Sequence, residues 1–135
     1  MSYPIVQKIS VLMVTGGKPD GKSAELLNIN GNKLCSLPNL PAARFDHSQT
    51  GLITCGGGEE AEQTTCVTLS SGRWKKTHTL GIRRWGHFGV ASPLGVLLVG
   101  VDKGGTYRKS VSSTTELLTD NGDTKSSFII RNRQQ

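Results

Sequence analysis

The side chains with catalytic potential lie around two copies of an Arg-x-x-His motif, Arg44–His47 and Arg84–His87, separated by 40 residues (44 to 84). Ser48 follows the first copy, so aspartate, histidine and serine stand next to one another. A hydrolytic triad requires these three groups to converge in space. Consecutive residues of a strand point to opposite faces, so this run predicts no triad. Recurrence in register favours a structural role for both arginines and both histidines.

Two other runs have the composition of ligand-binding loops without their spacing. Gly56–Gly58 lack the Gly-x-x-x-x-Gly-Lys-Ser/Thr pattern and a helix that would receive a phosphate. The acidic residues that follow, Glu59, Glu60 and Glu62, are interpreted as a solvated loop rather than a cation site. The run Asp120–Asp123 lacks the length and terminal glutamate of a calcium loop, and its Asn-Gly pair favours a tight turn.

The three cysteines, Cys35, Cys55 and Cys66, form no Cys-x-x-Cys pair and do not cluster with histidines, so we predict no metal and no cofactor. Cys55 ends one predicted strand and Cys66 lies on the next. In an antiparallel hairpin they would be neighbours, close enough for a disulfide in an oxidising compartment. Free thiols are the favoured alternative, because no secretory signal is recognisable in residues 1–10.

Composition indicates one folded domain with a basic surface. The chain has 135 residues, 35% of them hydrophobic and 19% charged, and a formal net charge of +6. No apolar stretch approaches a membrane span, so we predict no membrane association. We expect a cytoplasmic protein if the N-terminus is native, with an extracellular location as the alternative. The positive charge permits acidic protein partners or nucleic acid without choosing between them.

Short apolar runs that end in glycine divide the chain into three similar units. These runs are Val11–Gly17, Leu52–Gly57 and Val96–Val101, and Gly16, Gly56 and Gly100 lie 40 and 44 residues apart (16 to 56 to 100). A second repeated element follows each run, at Ser23–Leu27, Thr64–Leu69 and Thr114–Leu118. Self-similarity at such a period is typical of repeat architectures.

Each unit predicts four short strands, called a to d, in an antiparallel meander. The apolar runs are short, rich in Val, Thr and Ile, and bounded by Gly, Asn and Asp, whereas no segment keeps a 3.6-residue period. Strand a surrounds the Arg-x-x-His motif, strand b is the apolar run, and strands c and d follow. Strand b is apolar on both faces, which predicts burial between neighbouring sheets.

The unit resembles the kelch repeat, with Gly-Gly after strand b and Trp74 on strand d. The resemblance covers Val11 to Ile130 and is best in the middle unit; unit one lacks Arg-x-x-His, and unit three has Gly100-Val101 in place of Gly-Gly. It implies an all-β fold, a single domain over residues 1–135 built of four-stranded β-propeller blades, at about 4–40, 41–81 and 82–131.

Three blades do not close a propeller, which has typically 4 to 8. The sequence therefore predicts one of three arrangements. The chain is a fragment of a longer propeller, or half of a six-bladed ring that a homodimer closes, or an open three-bladed arc.

The resemblance implies a non-enzymatic module that binds a protein or peptide partner, acidic in character. In a four-stranded meander the b–c and d–a links share one end of the sheets, called here the upper rim, and loops on a rigid scaffold usually carry function. The predicted binding residues are Lys18, Lys22, Arg44, Arg83, Arg84, Lys103, Tyr107, Arg108 and Lys109.

Two other functions stay open from sequence. A metal-dependent oxidase-type propeller would need converging His, Cys or Tyr ligands, and the chain has only three His and two Tyr. A nucleic-acid-binding surface would use the basic rim, but aromatic residues for base stacking are scarce, so nucleic acid is not the expected partner.

Overall fold

The computed structural model describes residues 10–100 and 114–129, and these form three antiparallel sheets. Sheet 1 contains β1 (Val11–Thr15), β2 (Ala24–Asn28) and β3 (Lys33–Ser36). Sheet 2 contains β4 (Ser48–Thr50), β5 (Ile53–Cys55), β6 (Thr65–Ser70) and β7 (Arg73–Thr79). Sheet 3 contains β8 (Phe88–Ser92), β9 (Gly95–Val99), β10 (Thr114–Leu118) and β11 (Thr124–Ile129). The all-β prediction is confirmed.

Each sheet is a meander whose strands pair in chain order. The β6–β7 connection shows how local sequence sets this pattern. Ser70 pairs with Arg73, and the two residues between them have φ of +51° at Ser71 and +74° at Gly72. Positive φ at both loop positions is the hairpin turn that matches the right-handed twist of strands. Strand a of unit one, predicted within residues 4–10, lies outside the described residues except for Ser10.

One short helix interrupts the strands, contrary to the sequence prediction. A 3₁₀ helix, Glu60–Thr64, connects β5 to β6. Glu62 within it is half-buried, and its carboxylate lies 3.7 Å from Nη2 of Arg44. The interpretation of Glu62 as part of a solvated loop is therefore wrong, because a buried guanidinium pairs with it.

The three sheets lie side by side. The first described strands of neighbouring sheets are in contact, β1 with β4 and β4 with β8. Nε1 of Trp74, on the last strand of sheet 2, donates to the carbonyl of Pro38 at 2.7 Å, in the segment that leaves sheet 1. The described residues form no closed ring and match partial propeller blades.

The main core lies between sheets 2 and 3. Its buried members are Ile53, Cys55, Cys66, Leu80, Leu98 and Leu118. The predicted burial of strand b on both faces is confirmed for β5, which is buried throughout. It is wrong for β1, where Leu12 is 61% and Val14 is 40% exposed. Sheet 1 lacks a described neighbour on that side, so the same apolar pattern stays in contact with solvent.

Candidate functional site

The two Arg-x-x-His motifs build the same junction between successive sheets. The carbonyl oxygen of Arg44 accepts a hydrogen bond from the amide of Gly17 at 2.8 Å, and that of Arg84 accepts one from Gly57, also at 2.8 Å. A Cβ on Gly56 would lie 2.6 Å from the Arg84 oxygen. Gly16 and Gly56, the first glycines after strand b in sheets 1 and 2, are therefore required because the next motif approaches them too closely for any side chain.

The histidines complete these junctions. Nε2 of His47 lies 3.0 Å from Oγ1 of Thr15, whose hydroxyl donates to Oε1 of Gln49 at 2.8 Å. Nε2 of His47 must then donate its hydrogen to Oγ1 of Thr15, so Nδ1 is the ring nitrogen that carries no hydrogen. Nε2 of His87 lies 2.8 Å from Oγ of Ser48. Nδ1 has no hydrogen-bond partner in either ring.

Burial keeps both imidazoles neutral. Desolvation, with smaller contributions from the positive charge of Arg84 and from the neighbouring His47, lowers the pKa of His87 to about 4. Desolvation also lowers the pKa of His47. Ser48 and His87 have the residue types of a nucleophile and its base, but both are buried and Nδ1 has no acid to orient the ring. An imidazole with so low a pKa is a weak base, which favours a role for His87 in packing over one in proton transfer.

The side chain of Arg44 holds the b–c connection of sheet 2, and that of Arg84 binds the backbone where strand b of sheet 3 ends. Nη1 of Arg44 donates to the carbonyls of Gly56, Glu62 and Thr65 at 2.9–3.0 Å. Nη1 of Arg84 donates to the carbonyl of Gly100 at 2.5 Å. The two residues are 1% and 0% exposed. Their assignment to a binding surface is therefore wrong, and the structural interpretation of the motif agrees with these contacts.

Glu116 is an important partner that sequence reasoning overlooked. Its Oε2 accepts from Nε of Arg84 at 2.7 Å and its Oε1 accepts from the amide of Gly81 at 2.5 Å, with both side chains buried. Glu25 occupies the corresponding position of unit one, but there it pairs with the exposed Lys33. The repeated glutamate was visible in the sequence, whereas its burial opposite Arg84 was not.

The open question about the cysteines is settled in favour of a disulfide. Cys55 and Cys66 are directly paired across β5 and β6, with their sulfurs 2.16 Å apart. Cys35 is exposed and free.

A cleft of about 190 Å³ opens at the upper rim. Phe45 and Trp85, which occupy the same position in the two Arg-x-x-His motifs, line it together with Asp46, Gly58 and Gln63. Nζ of Lys18 lies 5.4 Å from the centre of the Phe45 ring. Sequence reasoning missed both aromatic residues, although their equivalence in the repeat was a usable signal.

The backbone of this cleft is fixed by contacts between sheets. The amide of Gly58 donates to the carbonyl of Phe45 at 2.9 Å, and the amide of Gly86 donates to that of Asp46 at 2.7 Å. Asp46 and Gly86 are equivalent in the repeat and both have left-handed backbone, with φ of +55° and +63°. Aspartate tolerates this conformation better than most residues, and glycine adopts it freely.

The predicted binding residues divide into three groups. Lys18, Lys22 and Arg83 are exposed, whereas Arg44 and Arg84 are buried. Lys103, Tyr107, Arg108 and Lys109 lie outside the described residues. His78 lies within β7, where it is buried and its Nε2 contacts the carbonyl of Thr119 at 2.8 Å.

A larger cleft, of about 570 Å³, lies between sheets 2 and 3 and reaches the turns opposite the upper rim. Leu52, Ile53, Val96 and Leu118 supply apolar walls. His78 borders it, but both ring nitrogens already have partners in the chain, Thr77 and Thr119. The cleft is therefore the gap between two diverging sheets rather than a set of converging polar groups.

Comparison with known proteins gives no match to a family model or to a curated protein. Within the described residues, no three or more His, Cys, Asp or Glu side chains are grouped to hold a metal ion. The same part of the chain contains no helix long and apolar enough to cross a membrane.

Proposed function

We propose that this chain is a non-enzymatic protein-interaction module of kelch-repeat type that binds an acidic protein or peptide through its upper rim. The observation that carries the proposal is the cleft between Phe45 and Trp85, beside which Lys18 is exposed. Aromatic residues are frequent anchors of protein interfaces, and complementary charge steers an acidic partner to a basic surface. An acidic segment with one apolar side chain matches this combination, because it places carboxylates near the lysine and an apolar group in the cleft.

Lys22 and Arg83 are the other two predicted binding residues that are exposed, and their positions are consistent with the same surface. Lys22 follows Gly21, whose carbonyl accepts from the amide of Arg44 at 2.7 Å, and Arg83 precedes the buried Arg84. Both therefore flank backbone that leads directly into the aromatic positions. Because the hydrogen bonds between sheets hold this backbone, little conformational freedom remains to be lost on binding.

The polar groups with catalytic potential support a binding role rather than a reaction. Ser48 and His87 are buried in the junction between sheets 2 and 3. The guanidinium groups of Arg44 and Arg84 donate their hydrogen bonds to carbonyl groups of the chain. The residues that face solvent at the rim are the ones suited to recognition. An oxidase or nucleic-acid function has no comparable observation in its favour.

The test is selection from a displayed library of random peptides against the purified chain, followed by affinity measurement on selected peptides. We expect acidic peptides whose affinity falls about tenfold or more in Trp85→Ala and in the double variant Lys18→Glu/Lys22→Glu. The double variant Lys75→Glu/Lys76→Glu is the matched control, since these lysines are exposed on β7. An equal loss in the control, or selection of peptides without acidic residues, would overturn the proposal.

A further inference from the structure

The outer face of sheet 1 presents exposed apolar side chains of β1 beside the Glu25–Lys33 ion pair, and no described sheet covers it. Thr15 contacts His47 and Gln49, and Met13 receives a hydrogen bond from Gln49, so the odd-numbered residues of β1 face sheet 2. Leu12 and Val14 alternate with them and point to the other side of the strand. They are 61% and 40% exposed. We call this side of sheet 1 the leading face.

The outer face of sheet 3 has the same character. A Cβ on Gly89 would collide with the hydroxyl of Thr50, so Gly89 faces β4 of sheet 2. Phe88 and Val90 therefore point away from sheet 2, and they are 58% and 46% exposed. Val90 pairs with Leu97, and Leu97 with Leu117, so the apolar row continues across the sheet. We call this side of sheet 3 the trailing face.

The leading face of sheet 1 and the trailing face of sheet 3 are the two kinds of surface that pack together in the junctions within the chain. In each internal junction the trailing face of one sheet packs on the leading face of the next, sheet 1 on sheet 2 and sheet 2 on sheet 3. Within residues 10–100 and 114–129, no sheet packs against the leading face of sheet 1 or the trailing face of sheet 3. Soluble proteins rarely leave contiguous apolar surfaces of this kind in contact with water.

We propose that a second copy of this chain covers both faces, so that two copies close a ring of six sheets. The trailing face of each copy packs on the leading face of the other. This creates two identical junctions related by a twofold axis, which is the most common symmetry of soluble oligomers. Six sheets lie within the range in which propellers close. The inference is independent of the proposed peptide-binding function, because it concerns the sides of the sheets and not the upper rim.

The new junction differs from the internal ones in its polar groups. Residues 1–10, which precede β1, contain no arginine and no histidine. The junction between copies therefore lacks the imidazole that joins His47 to Thr15 and His87 to Ser48. It depends on apolar packing instead, and we expect the dimer to dissociate on dilution before the sheets unfold.

The first test is the molar mass of the full chain by size-exclusion chromatography with light scattering. We expect twice 14.5 kDa at micromolar concentration. Val90→Arg and Leu12→Arg should each give the single-chain mass with an unchanged circular-dichroism spectrum, because a buried guanidinium opposes packing of the faces. Ile29→Arg and Leu94→Arg are matched controls, since these residues are 80% and 72% exposed and lie in turns rather than on the strands of either face. They should leave the dimer intact.

The second test does not depend on how the arginine variants fold. In a Cys35→Ser background, the double variant Val14→Cys/Val90→Cys places one thiol on each face. Mild oxidation should yield a covalent dimer, whereas Ile29→Cys/Leu94→Cys should not. A single-chain mass with intact β-structure, an open series of larger oligomers, or equal cross-linking in the control would each overturn the proposal.

Discussion

Nε2 of His87 lies 2.8 Å from Oγ of Ser48, and this hydrogen bond joins the start of sheet 3 to the first residue of sheet 2. The contact unites residues from two different units rather than neighbours along the chain. The run of aspartate, histidine and serine at 46–48 is thereby separated, because Ser48 turns toward the histidine of the following motif. What looked like catalytic composition is part of the packing between sheets.

This buried histidine predicts loss of stability in acid. The pKa of His87 is lowered to about 4 in the folded chain, below its ordinary value of 6.5. The unfolded chain therefore binds the proton first, so the stabilisation is fully present above pH 6.5 and is lost as the pH falls from 6.5 toward 4. The difference between the two pKa values of His87 corresponds to roughly 3 kcal/mol in the free energy of unfolding.

Urea unfolding at pH 7.5 and pH 4.5 measures this effect. His87→Gln is the matched variant, because glutamine can still bond to Ser48 but does not titrate. We expect the free energy of unfolding to fall more in the unmodified chain than in the variant. Equal falls in both would assign the acid sensitivity to carboxylates elsewhere.

Gly56→Ala should be strongly destabilising. The residue is buried with φ of +67°, and a Cβ there would lie 2.6 Å from the carbonyl oxygen of Arg84 and 2.7 Å from Cε1 of His87. We expect a loss of about 3 kcal/mol or more, since backbone strain and collision act together. Gly72→Ala is the control, with φ of +74° and open space around it, and should lose only about 1 kcal/mol. Similar losses at both positions, measured by thermal unfolding, would show that close approach contributes nothing.

The pair Arg84–Glu116 should show strong energetic coupling. Both side chains are buried, so removing one partner leaves the other charge uncompensated. Arg84→Met and Glu116→Gln should each cost about 3 kcal/mol or more, whereas the double variant should cost less than the sum. The exposed pair Lys33–Glu25 is the comparison and should couple by less than about 1 kcal/mol. A double-mutant cycle by denaturant unfolding measures both, and additive losses at Arg84 and Glu116 would contradict the expectation.

The disulfide predicts a stability difference between oxidised and reduced chains. Cys55 and Cys66 are separated by 11 residues, so cross-linking them restricts a short loop of the unfolded chain. Replacing both with alanine should lower the free energy of unfolding by about 2–3 kcal/mol. Cys35→Ala should have little effect, because that thiol is exposed and unpaired. Three titratable thiols in the unfolded, unreduced chain would contradict the disulfide itself.

The internal repeat was sufficient to predict the architecture of the described residues. Glycine landmarks, short apolar runs and turn residues located the strands and their antiparallel order, because these features act over a few residues of chain. Unit two shows this best, since strands b, c and d appear where the repeat placed them. Strand a is the exception, because β4 (Ser48–Thr50) begins only after the Arg-x-x-His motif that it was expected to contain. The same local reasoning missed the 3₁₀ helix at Glu60–Thr64, which forms where Arg44 binds the carbonyl of Glu62.

The candidate site depended on contacts that no local pattern contains. Arg44 lies in one copy of the repeated motif, and Arg83 immediately precedes the other copy. Arg44 is nevertheless buried, whereas Arg83 is exposed. Arg44 is buried because its guanidinium group binds carbonyl groups that lie 12 to 21 residues away along the chain. Phe45 and Trp85 likewise line one cleft only because the sheets that carry them stand next to each other.

The sequence by itself determined that this protein is all-β, that it is built of three repeated units, and that glycine follows strand b in each unit. Only the tertiary structure decided that the Arg-x-x-His motifs are internal supports, that Cys55 and Cys66 are joined, and that the outer sheets leave apolar faces open. Strand formation follows from neighbouring residues and turns. Burial and pairing follow from the approach of residues distant in the chain, which is established only when the sheets pack.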